Sequence, residues 1–188
     1  MRENRPTAPV SLLLALYVPT VINGLARGLL LPILPLFAGE FSESYAKIGL
    51  ILAAQGAGNL VADIPVGMML TRLRRKRVML TGAALVSVTL LGLWWSQTIL
   101  QVVALQFVGG IGAAMWNISR HSFLAEAVPA SRRGRASALM GGISRITFFF
   151  TPALGGFVAD AITLRTPFLI AATLTFLALL AAAKWIPA

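Results

Sequence analysis

Apolar residues along this chain form neither a narrow helical stripe nor a strand-like alternation. They come in long runs separated by short polar breaks. Crossing the roughly 30 Å hydrocarbon layer of a bilayer takes about 20 residues of helix. Six runs reach that length, at about 10–37, 46–70, 78–97, 99–125, 136–160 and 164–186. The breaks near Ser96–Thr98 and Ala161–Thr163 are so short that the flanking helices are predicted to turn back as antiparallel neighbours. The first run, from Val10 on, is too long for a signal-peptide core and shows no clear small-residue cleavage site, so it reads as a retained helix. The pattern predicts an all-α membrane protein, residues 1–188 forming one six-helix transmembrane bundle.

The polar positions then set the orientation. In the second run Gln55, Asn59 and Asp63 recur every four residues and share a helix face. That run ends in the basic burst Arg72–Arg77 and is followed at once by apolar sequence, the signature of a cytoplasmic turn between two membrane helices. With the N-terminus inside, the cytoplasmic side collects Arg2, Arg5, Arg72, Arg74, Arg75, Lys76, Arg77, Arg132, Arg133, Arg135 and Lys184, eleven of the 16 Lys and Arg. Lys47 and Arg165 fall outside, and Arg27, Arg120 and Arg145 fall within runs. The rule that cytoplasmic loops are positive places both termini in the cytoplasm; a bacterial plasma (inner) membrane is the expected location.

Composition agrees and narrows the function. The chain is 57% hydrophobic and 12% charged, with mean hydropathy +0.82, where a soluble domain is about 25% charged. Its net charge of +10 sits in short loops rather than along one face, which argues against a nucleic-acid partner. With no cysteine, one histidine (His121, beside Arg120) and no nucleophile–base–acid set, neither an enzyme nor a metal site is expected. A lone histidine of this kind reads as a structurally satisfied side chain rather than a proton shuttle. No phosphate-cradling loop is present, so no cofactor and no ATP-driven process is expected. Trp94, Trp95 and Trp185, near the ends of runs, read as interfacial anchors.

Small residues prepare the helices for close approach: Gly24 and Gly28 in the first run, Gly109, Gly110 and Gly112 in the fourth, and Gly141, Gly142, Gly155 and Gly156 in the fifth. Prolines 32, 35, 65 and 152 are expected to disturb three helices. The starts of runs one to three recur in runs four to six after roughly 86–90 residues, and Pro65-Val-Gly67 has a loose echo in Pro152-Ala-Leu-Gly155. A three-helix unit repeated in this way must be inverted, giving two inverted three-helix repeats.

Three stretches resemble those of the major facilitator superfamily. Gly67-Met-Met-Leu-Thr71-Arg72-Leu-Arg74-Arg75-Lys76 is similar to its G-x-x-x-D-R-x-G-R-R/K loop, with Thr71 for the acid and Arg74 for a glycine. Gln106-Phe-Val-Gly109-Gly110-Ile-Gly112 resembles its R-x-x-x-G-x-G, with Gln106 for the arginine, and runs on into Glu126, Pro129 and Arg132-Arg133-Gly134-Arg135. Thr151-Pro152-Ala-Leu-Gly155-Gly156 resembles the G-P-x-x-G-G of the fifth helix, a feature associated with antiporters. The resemblance implies the N-terminal half of a twelve-helix transporter, working by alternating access around a midplane site. It also implies a charge network at the gate loop, in which Glu126 pairs with Arg72. The function expected is secondary transport, proton-linked efflux or antiport of a drug-like or organic-anion solute. The partners expected are lipid, a small-molecule substrate, a coupling proton or other ion, and a second six-helix half. A non-transporting membrane subunit and a six-helix carrier acting as a homodimer are the alternatives.

Ionisable groups at depth cost about 2.5–3.5 kcal/mol each on insertion scales and mark functional sites. Asn23, Arg27, Gln55, Asn117 and Arg145 are the candidates for the substrate path, with Arg145 near the midplane as first choice. Asp63 and Arg120 are placed at similar depth, either as an ion pair or with Asp63 as the proton-coupling acid.

Overall fold

The computed structural model describes residues 10–185, with side-chain surroundings from Tyr17 onward, so Arg2 and Arg5 lie outside the described residues. Seven helices follow one another: α1 Val10–Leu30, α2 Ile33–Gly39, α3 Tyr45–Arg72, α4 Arg75–Trp95, α5 Ile99–Ala127, α6 Ala130–Ala161 and α7 Thr166–Trp185. With α1 and α2 counted as one span, six among the described residues are long and apolar enough to cross a membrane.

The first span breaks where its prolines require it. Pro32 has no N–H to offer the carbonyl of Gly28, which instead accepts from Leu31 N at 3.3 Å, and the chain turns before α2 begins. Pro65 and Pro152 leave α3 and α6 continuous. Close to Pro152, Thr147 Oγ1 donates to the carbonyls of Ile143 (3.0 Å) and Ser144 (2.9 Å), and Thr151 Oγ1 donates to Thr147 O. α5 begins at a reciprocal cap, with Gln101 N donating to Thr98 Oγ1 at 3.3 Å and Thr98 N donating to Gln101 Oε1 at 3.2 Å. α6 starts right after Pro129, six residues before the predicted 136, so Arg132, Arg133 and Arg135 lie on its first turns instead of in a loop.

The packing follows the predicted repeat. α3 packs on α5 as α6 packs on α1, α4 packs on α5 as α7 packs on α1, and α4 and α7 meet each other across the middle. Exchanging the first three spans for the last three maps the α3–α5 contact onto α6–α1, the α4–α5 contact onto α7–α1, and the α4–α7 contact onto itself, as an inverted repeat demands. The join at Ser96–Thr98 does produce packed neighbours, α4 and α5. The join at Ala161–Thr163 does not: α6 and α7 touch little, and α1 takes the contacts of both. A tight turn holds only one end of each helix together, and small residues decide the rest. Gly24 and Gly28 of α1 receive Thr147 and Thr151 of α6, with hypothetical Cβ distances of 2.5 and 2.8 Å that only glycine permits.

α5 carries the densest crossing. A Cβ on Gly110 would lie 2.1 Å from Gln55 O of α3, and one on Gly112 would lie 2.8 Å from Gly82 O of α4. Gly155 of α6 meets Leu29 O of α1 in the same manner, at 2.2 Å. Gly141, Gly142 and Gly156, expected to pack closely, have open space around them. Gly67 is open as well, so the echo between Pro65-Val-Gly67 and Pro152-Ala-Leu-Gly155 is one of sequence and not of packing.

Apolar clusters close both ends of the bundle. Ile33, Phe37, Ile51, Leu93, Val102 and Phe168 form the one near α2, and Met79, Ala83, Trp116 and Ala182 belong to another nearer the basic turns. α3 and α6 are the least buried spans, with Leu60, Ile64, Phe149 and Phe157 each more than two-thirds exposed.

Candidate functional site

Between these clusters lies a cavity of about 580 Å³, within the 300–1,000 Å³ typical of small-molecule sites. Each helix sends residues to it by its own period. On α1, Thr20, Asn23 and Arg27 follow three and four residues apart and share a face. On α5, Gln106, Asn117 and Arg120 line it, while Gly109, Gly110 and Gly112 point to neighbouring helices. α3 adds Gln55, and α6 adds Ser144 and Phe148. Leu30, Leu34, Leu90 and Trp116 supply apolar wall.

The structure therefore brings together Asn23, Arg27, Gln55 and Asn117 of the predicted substrate path, and adds Arg120. Arg120 Nη1 donates to Thr20 Oγ1 at 3.3 Å, and its Nε is buried without a partner. The lining contains no Asp or Glu.

Arg145 does not join them. Its neighbour Ser144 faces the cavity, and one residue further round the helix, about 100° away, Arg145 stands on the exposed flank of α6. Asp63 is also displaced. Four residues overrun a 3.6-residue turn by about 40°, so two steps from Gln55 rotate the stripe by about 80° and carry Asp63 out to the exposed face of α3. The predicted pair with Arg120 is not formed; the ion pairs among the described residues are Arg75–Glu126 and Arg165–Glu40. His121 is exposed and does not line the cavity.

At the basic end, Glu126 pairs with Arg75 instead of Arg72, and Arg75 Nε donates to Ser122 Oγ at 2.6 Å. Arg75 opens α4 and so faces the last turn of α5, whereas Arg72 ends α3 and is exposed. Thr71, in the place of the family's acid, donates to Met68 O at 2.7 Å and stays exposed. Lys76 is half-buried at the start of α4, and Pro152 is half-buried within α6. Trp95 and Trp185 end α4 and α7 on exposed positions, as anchors should.

Sequence reasoning overlooked the knot at the opposite end. Arg165 Nη1 donates to Trp94 O (3.0 Å) and Ser96 O (2.9 Å), satisfying carbonyls at the end of α4. Its Nη2 reaches Glu40 at 3.3 Å, and the guanidinium lies 5.1 Å over the Phe37 ring. A lone arginine at the start of a span, with an acid near the end of another, was the available signal. Thr20, Gln106 and Ser144 were also overlooked as lining residues, since uncharged polar groups are common in packed membrane helices.

Comparison with known proteins agrees with this architecture. The family model described as Major Facilitator Superfamily matches residues 16–188. An uncharacterized MFS-type transporter of Methanocaldococcus jannaschii is 25% identical over 153 residues, 81% of this chain and 40% of the relative. Quinolone resistance protein NorA of Staphylococcus aureus is 24% identical over 163 residues, 87% of this chain and 42% of the relative. The chain thus spans about two fifths of the length of these relatives.

Proposed function

The chain belongs to the Major Facilitator Superfamily, and from that premise we propose that it is one six-helix half of a secondary transporter that moves a small drug-like or organic-anion solute by proton-linked efflux or antiport. It is an integral membrane protein and a transporter rather than an enzyme. The observation that carries the reading is the cavity in the middle of the bundle, a mainly apolar wall set with polar side chains from α1, α3, α5 and α6, with α3 and α6 left the most open. A second six-helix half set against α3 and α6 would close the cavity, and rocking of the two halves would expose it to each side in turn. The name of the staphylococcal relative supports a drug-like substrate.

The basic turns face the cytoplasm in this reading, in a bacterial inner membrane, with the Arg75–Glu126 contact fastening the cytoplasmic side in one of the two states. Arg72, Thr71 and Gly67, all exposed, meet the second half there. Asp63 is the proton-coupling acid, on the exposed face of α3 and off the cavity lining, where the second half would cover it. Arg145 meets a carboxylate of the second half, which removes the cost of leaving a guanidinium against lipid.

The test is proton-gradient-driven efflux in vesicles carrying the full natural polypeptide, wild type beside Asp63→Asn, with a drug-like cation (ethidium) and an organic anion (naphthalene-2-sulfonate) each offered as solute, transport of either one meeting the reading. The expected result is gradient-dependent efflux in wild type and its loss in a variant that still folds. Efflux in the variant equal to wild type would remove Asp63 from the coupling path, and gradient-independent behaviour throughout would remove proton linkage.

A further inference from the structure

We propose that the cavity holds the oxyanion head of an amphipathic organic anion between Arg27 and Arg120, with the ligand's apolar body against Trp116, Leu30 and Phe148. This rests on the transport reading and names the substrate class of the same cavity.

The two guanidiniums enter one space from α1 and α5 and repel each other across it. No acid lines that space, and neither arginine is ion-paired among the described residues. The bond from Arg120 to Thr20 is to a neutral oxygen and leaves Arg120 Nε buried and unpartnered. Two like charges facing one partly open cavity, Arg27 exposed within it and Arg120 half-buried, are relieved by an anion, left uncompensated by a neutral ligand and worsened by a cation. Guanidinium groups also present forked N–H donors that match carboxylate, sulfonate or phosphonate oxygens in pairs. Asn23, Gln55 and Asn117 surround the arginines with neutral groups that orient a ligand without competing for the charge. The apolar wall selects against small inorganic anions, which gain nothing from it.

The test measures binding to the full natural polypeptide in detergent by isothermal calorimetry. The probes are naphthalene-2-carboxylate, -sulfonate and -phosphonate beside the neutral naphthalene-2-carboxamide. At least one anion is expected to bind ten or more times tighter than the carboxamide. Arg27→Gln and Arg120→Gln should each weaken that anion tenfold or more while leaving the carboxamide unchanged. Arg27→Lys and Arg120→Lys, which keep the charge and lose the fork, should fall between and serve where a glutamine variant does not fold. The proposal is overturned if no anion binds, if the carboxamide binds as well as the anions, or if folded variants bind anions like wild type. Gradient-driven ethidium efflux that persists under any of these outcomes leaves transport standing and removes the anion site alone.

Discussion

Replacing Gly58 with alanine puts a methyl group where the backbone of α5 already stands. The new Cβ would lie 2.0 Å from Phe107 O and 2.9 Å from Phe107 C, where ordinary contacts begin at 3.4 Å. α3 and α5 must therefore part by about 1.4 Å at their crossing. Both obstructing atoms are backbone, so no side-chain rotation relieves them. A radial gap of about 0.5–1 Å already forfeits a quarter to a half of each dispersion contact, and overpacking typically costs about 1–3 kcal/mol. The separation required here is at the severe end, so about 2–3 kcal/mol is expected, offset by up to about 1 kcal/mol of helix propensity gained by alanine. Gly56, two residues earlier on the same helix, has nothing within 4 Å of its hypothetical Cβ, and Gly56→Ala should be neutral or slightly stabilising. Unfolding by sodium dodecyl sulfate in mixed micelles, followed by circular dichroism, compares the two. A Gly58→Ala variant as stable as wild type would refute the crossing.

Other perturbations separate structure from mechanism. Arg165→Ala should cost about 2 kcal/mol in the same titration, because it strips two carbonyls at the end of α4 of a charged donor. Glu40→Gln, in a pair that is 31% and 40% exposed, should cost under about 1 kcal/mol. Glu126→Gln and Arg75→Ala should each change stability by less than about 1 kcal/mol, since the pair is exposed, yet shift the balance of transport states several-fold, read as an altered efflux rate. Gly67→Ala should leave the unfolding of this bundle unchanged, since no atom lies within 4 Å of the added methyl, so loss of efflux would report a contact beyond it.

Much of the fold was legible because a bilayer imposes a length on each apolar run, and runs of that length stand out. The repeat was legible from span spacing, and the contacts repeat with it. Azimuth around a helix was not legible: a rotation of about 80° or 100° took Asp63 and Arg145 off the cavity face. Asn23, Arg27, Gln55 and Asn117 kept the cavity face, the first two being one turn apart on α1. The partner of Glu126 depended on a similar detail. Arg72 and Arg75 flank the same turn, but only Arg75 begins the helix that packs on α5. The Arg165 knot joins residues far apart in sequence, and no local pattern announces such a contact.

The central claim is that the α1–α5 cavity is the solute path and opens to each side in turn. It is tested by Asn117→Cys in the full natural polypeptide with any other cysteine replaced by serine, since this chain contributes none. Right-side-out and inside-out vesicles are labelled with a membrane-impermeant maleimide. The account predicts labelling from both sides, with the ratio shifted by Arg75→Ala. Labelling from neither side, or from one side alone regardless of Arg75, would contradict it.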